Sequence, residues 1–305
     1  MRSFNIIGKL SSLAALALAM LSFQSCQKQN DEVGLSSVPV RFETVVTRSA
    51  ELTTSTISSF NVVAFLDDAE STPFMSHEVV TRSSFNWTYG PEKFWPKNDA
   101  VHFFAYSSST GKGTMSKPVF EKISNDKFQG TFEYNLPSPD ESLKRDAESQ
   151  PDIVFAQQVN MTEQDGKVNF SFSHALTAIQ FKVGMVPANT TLEQIDFVNV
   201  HSKGVCTVTG DLSNNIKFSW VPDVTMHVTY SQKFPSLPLT EGATVSLKSQ
   251  ETTFMMIPQT FDEHARIRFV FTINGEEYIK DVLKLQDIHS SWEPGEIHTY
   301  TITLN

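Results

Sequence analysis

Short runs in which apolar and polar residues alternate at period two recur along most of this chain, and no other feature limits its fold as tightly. In 38–48, Val38, Val40, Phe42, Thr44 and Val46 fall on one face of an extended strand. The same alternation returns at 60–66, 101–106, 167–173, 178–183, 265–273 and 299–304. Turn-forming groups separate these runs: Tyr89-Gly90-Pro91, Thr110-Gly111-Lys112-Gly113, Asp165-Gly166 and Asn274-Gly275. Asn274-Gly275 is the clearest hairpin signal, because a two-residue type I′ turn needs positive φ at both positions. No stretch of comparable length carries a helical period, and 136–152, with its prolines and charges, reads as a surface loop holding one helical turn at most. The expected fold class is all-β, packed as sandwiches rather than as alternating β and α units.

Composition narrows the function. The chain has 24 phenylalanines against six tyrosines and four tryptophans, which supplies large buried areas to pleated sheets. Its formal net charge of -10, with no block of lysine and arginine, repels phosphate backbones, so nucleic acid is not an expected partner.

The first residues read as an export signal. Arg2 and Lys9 give a positive start, Leu10 to Leu21 an apolar middle, and Ser22-Phe23-Gln24-Ser25-Cys26 a cut site. The apolar run is shorter than the roughly 20 residues a spanning helix needs, so removal is expected rather than retention as an anchor. Cys26 then becomes the lipidation site of a lipoprotein, held to a membrane by acyl burial; an ordinary secretory signal with a cysteine nearby is the alternative. The expected organisation is a signal peptide over 1–25, a flexible tether over 26–37, one β-sandwich domain over 38–165 and a second over 166–305. With Cys26 lipidated, Cys206 has no partner for an intrachain disulfide, and its flanks Val205 and Val208 place it in a core.

No catalytic constellation is present in the sequence. There is no G-x-S-x-G elbow, no Gly-rich phosphate loop, and His77-Glu78 is followed by Val79-Val80-Thr81 instead of a second metal ligand. No catalytic residue, metal or cofactor is expected. His102 and His174 sit inside strand patterns as structural, hydrogen-bonded residues. Asp67-Asp68 with Glu70 lacks the regular ligand spacing of a calcium loop and reads as a solvated turn. The aromatic group Trp87, Tyr89, Phe94 and Trp95 could stack on sugar rings, which makes Trp87 and Trp95 the candidate ligand-binding residues, although core packing is the commoner use of such rings.

Several phrases in fixed order resemble the Bacteroidales fimbrillin family, the Mfa-like group of surface lipoproteins. They are Phe42 with Arg48-Ser49, Ser59-Phe60-Asn61-Val62-Val63-Ala64-Phe65, Trp87-Thr88-Tyr89 with Phe94-Trp95-Pro96, and Val101-His102-Phe103-Phe104-Ala105-Tyr106. Further on stand Asp152-Ile153-Val154-Phe155-Ala156, Phe172-Ser173-His174-Ala175-Leu176, Met256-Ile257-Pro258-Gln259, and Trp292 with Gly295 and Tyr300-Thr301-Ile302.

The resemblance implies two tandem transthyretin-like, Ig-like β-sandwich domains and a structural or adhesion subunit of fimbriae on the outer membrane. It also implies cleavage by an arginine-specific protease after an early strand, and filling of the vacated groove by a donor strand from another fimbrial subunit. On this sequence the leaving strand is 38–47, cut between Arg48 and Ser49; the null is a permanent first strand with Arg48 solvated. Thr81-Arg82-Ser83 repeats the local triplet. The chain stops soon after Tyr300-Thr301-Ile302, which favours a tip or accessory subunit that meets a host or bacterial surface ligand. The competing reading is a monomeric surface lipoprotein that binds glycan or another ligand, with a hydrolase third.

Overall fold

A computed structural model describes residues 34–46, 57–67, 72–84, 86–108, 114–124, 127–137, 150–248 and 252–304, and over these the fold is all-β. Cys26, Arg48 and Ser49 lie outside the described residues, as do 26–33 of the tether segment and the centre of the 136–152 loop, whereas Leu35 to Ser37, placed in the tether by sequence, fall in a strand.

The largest sheet runs in the order β2 (Phe42–Val46), β12 (Val168–His174), β11 (Ile153–Met161), β7 (Val101–Ser108), β3 (Ser59–Leu66), β4 (Met75–Ser83), β5 (Asn86–Thr88). Its central strands β11, β7 and β3 are largely buried on both faces. Along β7 every residue from Val101 to Ser107 is buried, which places Phe103 and Ala105 against one core and Phe104 and Tyr106 against others. A second sheet, β16 (Ile216–Pro222), β15 (Lys203–Asp211), β10 (Lys127–Asn135), with β8 (Thr114–Met115) and β9 (Val119–Ser124) on β10, contributes Phe128, Phe132, Cys206 and Val208 to the buried clusters.

The later chain builds two further sheets. One joins β18 (Val245–Leu247), β13 (Thr177–Gly184), β19 (Phe254–Met256) and β24 (Ile297–Thr303); the other runs β17 (His227–Leu239), β14 (Thr190–His201), β21 (Arg266–Ile273), β22 (Glu276–Lys284). Phe181, Phe197, Phe254 and Phe269 meet between them, mostly edge to face at 4.9 to 5.9 Å, the geometry the ring quadrupole favours. The hairpin at Asn274-Gly275 forms as its residues dictate, with φ of 52° and 88° and Ile273 opposite Glu276. Short ladders complete the set: β1 (Leu35–Pro39) on β6 (Phe94–Pro96), and β20 (Gln259–Thr260) on β23 (Ser291–Trp292).

Two strands depart from the antiparallel rule. β2 lies parallel to β12, and β24 lies parallel to β13, although β12 and β13 follow each other in the chain with only Ala175 and Leu176 between. The run 38–48, continuous by periodicity, divides into β1 and β2 at Val40 and Arg41. There the chain changes partner: Val40 N donates to Lys93 O at 2.9 Å, and Arg41 O accepts from Val168 N at 2.8 Å. Val38 is accordingly exposed, whereas Val40 and Phe42 are buried.

Candidate functional site

The leading segment 34–46 is held by two single ladders. β1 pairs with the three-residue β6, and β2 pairs with β12 alone, at the end of its sheet. A parallel ladder is somewhat weaker per residue than an antiparallel one, so side chains supply much of the hold. Phe42 is 3% exposed and meets four rings: stacked on Phe170 at 5.7 Å, edge-on to Phe60 at 6.1 Å and Phe103 at 6.0 Å, and tilted to Tyr89 at 5.4 Å. Tyr89 closes the site from above. Its hydroxyl donates to Val40 O at 3.1 Å and accepts from Lys93 N at 3.2 Å, and burial pushes its acidity to a higher pKa than usual.

Beside β2 the sheet curls until β5 stands opposite, leaving a groove of about 380 Å³ lined by Arg41, Phe42, Glu43, Trp87, Tyr89 and Glu92. Two ion pairs mark its rim. Arg41 Nη1 meets Glu92 Oε1 at 2.6 Å and Lys167 meets Glu43, with all four side chains about half exposed. Exposed pairs of this kind contribute only about 0 to 1 kcal/mol each; their effect here is to fix register.

The two candidate ligand-binding tryptophans lie apart in environment. Trp95 is fully buried, edge-on to Phe103 at 5.7 Å, and its Nε1–H has no hydrogen-bond partner among the described residues. Trp87 is half-buried, packed with Phe60 at 4.8 Å and with the Arg82 guanidinium 5.9 Å from its ring. Trp87 also lines the groove beside β2.

Arg82 itself is locked in the sheet. Its backbone N donates to Ser58 O at 2.9 Å and it pairs with Trp87 on β5. A protease that reads its substrate as an added extended strand needs an unpaired backbone, which the Thr81-Arg82-Ser83 triplet does not offer.

The histidines singled out from sequence have structural partners. Asn160 N donates to His102 Nδ1 at 3.2 Å, which leaves the proton on Nε2, 3.2 Å from Asp67 Oδ1. Burial lowers the His102 pKa despite Asp67, so the ring is neutral at pH 7. His174 Nδ1 lies 3.0 Å from buried Asp152. Cys206 is buried, and desolvation raises its thiol well above the ordinary range.

The pattern of the fimbrillin-like family matches residues 47–305. The chain belongs to that family. Among its curated relatives is the fimbrium subunit Fim1C of Phocaeicola vulgatus, 27% identical over 184 residues. That alignment covers 55% of this chain and 48% of Fim1C, so the chain spans about half the length of the relative it matches. Among solved structures, a candidate cell adhesion protein of Bacteroides ovatus is 13% identical over 88% of this chain and 92% of its own, with a TM-score of 0.47. The fimbrial anchor protein Mfa2 of Porphyromonas gingivalis is 11% identical over 80% and 82%, with a TM-score of 0.31. Within the fimbrillin-like family, the geometry that sequence reasoning missed is the socket around Phe42: alternation announced a buried face but not that Phe170 and Tyr89, 128 and 47 positions away by number, would enclose it.

Proposed function

We propose that this fimbrillin-like protein is a structural subunit of bacterial surface fimbriae that assembles by exchanging its leading strand for one from a neighbouring subunit. The observation that carries the reading is the attachment of 34–46: β2 sits at a sheet end, bonded to β12 alone, with one aromatic anchor in the core. Removing such a strand bares backbone donors and acceptors together with an apolar trench, and an incoming strand satisfies both. Arg48-Ser49 follows β2 in the sequence and is the proposed scission point, whereas Arg82 is paired on its strand. In the same reading Cys26 carries the lipid that holds the precursor to the outer membrane. The role is mechanical rather than catalytic, with adhesion as its outcome.

Electrophoresis of cell-surface extracts tests the proposal. Strand-exchanged fibres give high-mass ladders in unboiled samples that collapse on boiling; a single monomer band under both conditions contradicts it.

A further inference from the structure

We infer that the groove under β2 is selective: it accepts a donor strand carrying phenylalanine between a basic and an acidic residue, and it discriminates against this chain's own β24. A second copy of this chain meets that requirement through its own 38–47 strand and not through β24. This rests on the strand-exchange reading and adds to it the chemistry of the partner.

The first part of the argument is the socket. Phe42 is enclosed by the rings of Phe60, Phe103, Phe170 and Tyr89, and it is 3% exposed. The one hydroxyl nearby, on Tyr89, is committed to Val40 O and Lys93 N. An aliphatic side chain loses the stacked and edge-on contacts; a tyrosine brings a phenol O–H among four rings of which only Tyr89 is polar, and an unsatisfied buried hydroxyl is penalised. An apolar pocket rejects an added hydroxyl by up to about 100-fold.

The second part is the rim. Arg41 faces Glu92, and Glu43 faces Lys167, on the two sides of the phenylalanine. Reversing both charges on a donor would set like against like at each end. Such pairs act mainly on encounter rate and register.

The third part is direction and the identity of the competing strand. Any replacement must run parallel to β12, with its aromatic at the position opposite Val168. β24 is the obvious internal candidate, since it too is a parallel strand with a buried ring, Tyr300. But Tyr300 is flanked by Thr299 and Thr301 rather than by charges, and in its own sheet its hydroxyl accepts from Trp292 Nε1 at 2.9 Å. None of the four rings that contact Phe42 is an indole that could replace that donor.

The test uses the full chain carrying a specific protease site within 47–56, cut so that both pieces remain, with an unchanged near-ultraviolet circular dichroism spectrum as the check on folding. Fluorescent synthetic peptides are then offered: the native 36–47 sequence, its F42Y and F42A forms, its R41E/E43R form, and the 296–304 sequence. Capture is followed by anisotropy. The native peptide should exchange in, F42Y about 10- to 100-fold more weakly, and F42A at least about 100-fold more weakly. The R41E/E43R peptide should enter several-fold more slowly, and the 296–304 peptide should stay free where the native one saturates. Equal capture of the native, F42A and 296–304 peptides overturns the selectivity and leaves strand exchange standing. Failure of the native peptide itself to enter the nicked protein overturns strand exchange, and the selectivity with it.

Discussion

Phe42 and Phe170 lie nearly parallel, 14° apart with centroids at 5.7 Å, and this contact joins β2 to β12, a strand more than a hundred residues later. Around it β2 is bonded on one side only.

Replacing Phe42 by alanine in the intact chain should cost about 3–5 kcal/mol, the usual loss for a fully buried aromatic, and F170A should cost as much. Because the two remove one contact, the double variant should cost less than the sum. Urea denaturation of the three variants measures this.

Acid should weaken the fold through its histidines. His102, His201 and His298 all have pKa values lowered, in each case chiefly by burial, and His77 likewise. A neutral imidazole is therefore favoured in the native state relative to the unfolded chain, whose histidines titrate near pH 6.5. Their contribution is fully present above about pH 6.5 and is lost as the pH falls through the depressed native values. Urea midpoints between pH 7.5 and pH 5 should fall, and His102→Gln should be less stable than the parent at pH 7.5 while showing a shallower pH dependence.

Arg48→Ala should abolish processing and the unboiled ladder, whereas Arg82→Ala should leave both in place, since Arg82 is held in β4 by Ser58 and Trp87. Immunoblots of surface extracts from the two variants separate the sites.

The tryptophans should differ in stability rather than in ligand binding. Trp95→Ala should cost about 3–5 kcal/mol. Trp95→Phe should cost much less, because it also removes an N–H that has no partner among the described residues. Trp87→Ala, at a half-buried site, should fall well below Trp95→Ala. Thermal unfolding of the three variants orders them.

Much of this was written in local pattern. Period-two alternation marked β3, β7, β12, β13, β21 and β24 within a residue or two, and Asn274-Gly275 marked its turn, because burial of one strand face and positive φ are local demands. The break at Val40–Arg41 was not legible, since alternation is the same whichever neighbour accepts the hydrogen bonds. For the same reason parallel pairing of β2 and β24 left no trace in the residues. The strands β15 and β16 are less legible because exposed Val205 and Val221 blur their alternation. Arg82 and Arg48 share a triplet; only the backbone bonds of β4 separate them.

The mature N-terminus separates an exchanged leading strand from a permanent one. Mass spectrometry of the fibre-associated protein should find chains beginning at Ser49, with the 26–48 segment and its lipid gone. If every molecule in the fibres retains a lipidated Cys26 joined to an uncut β2, strand exchange at this groove is contradicted.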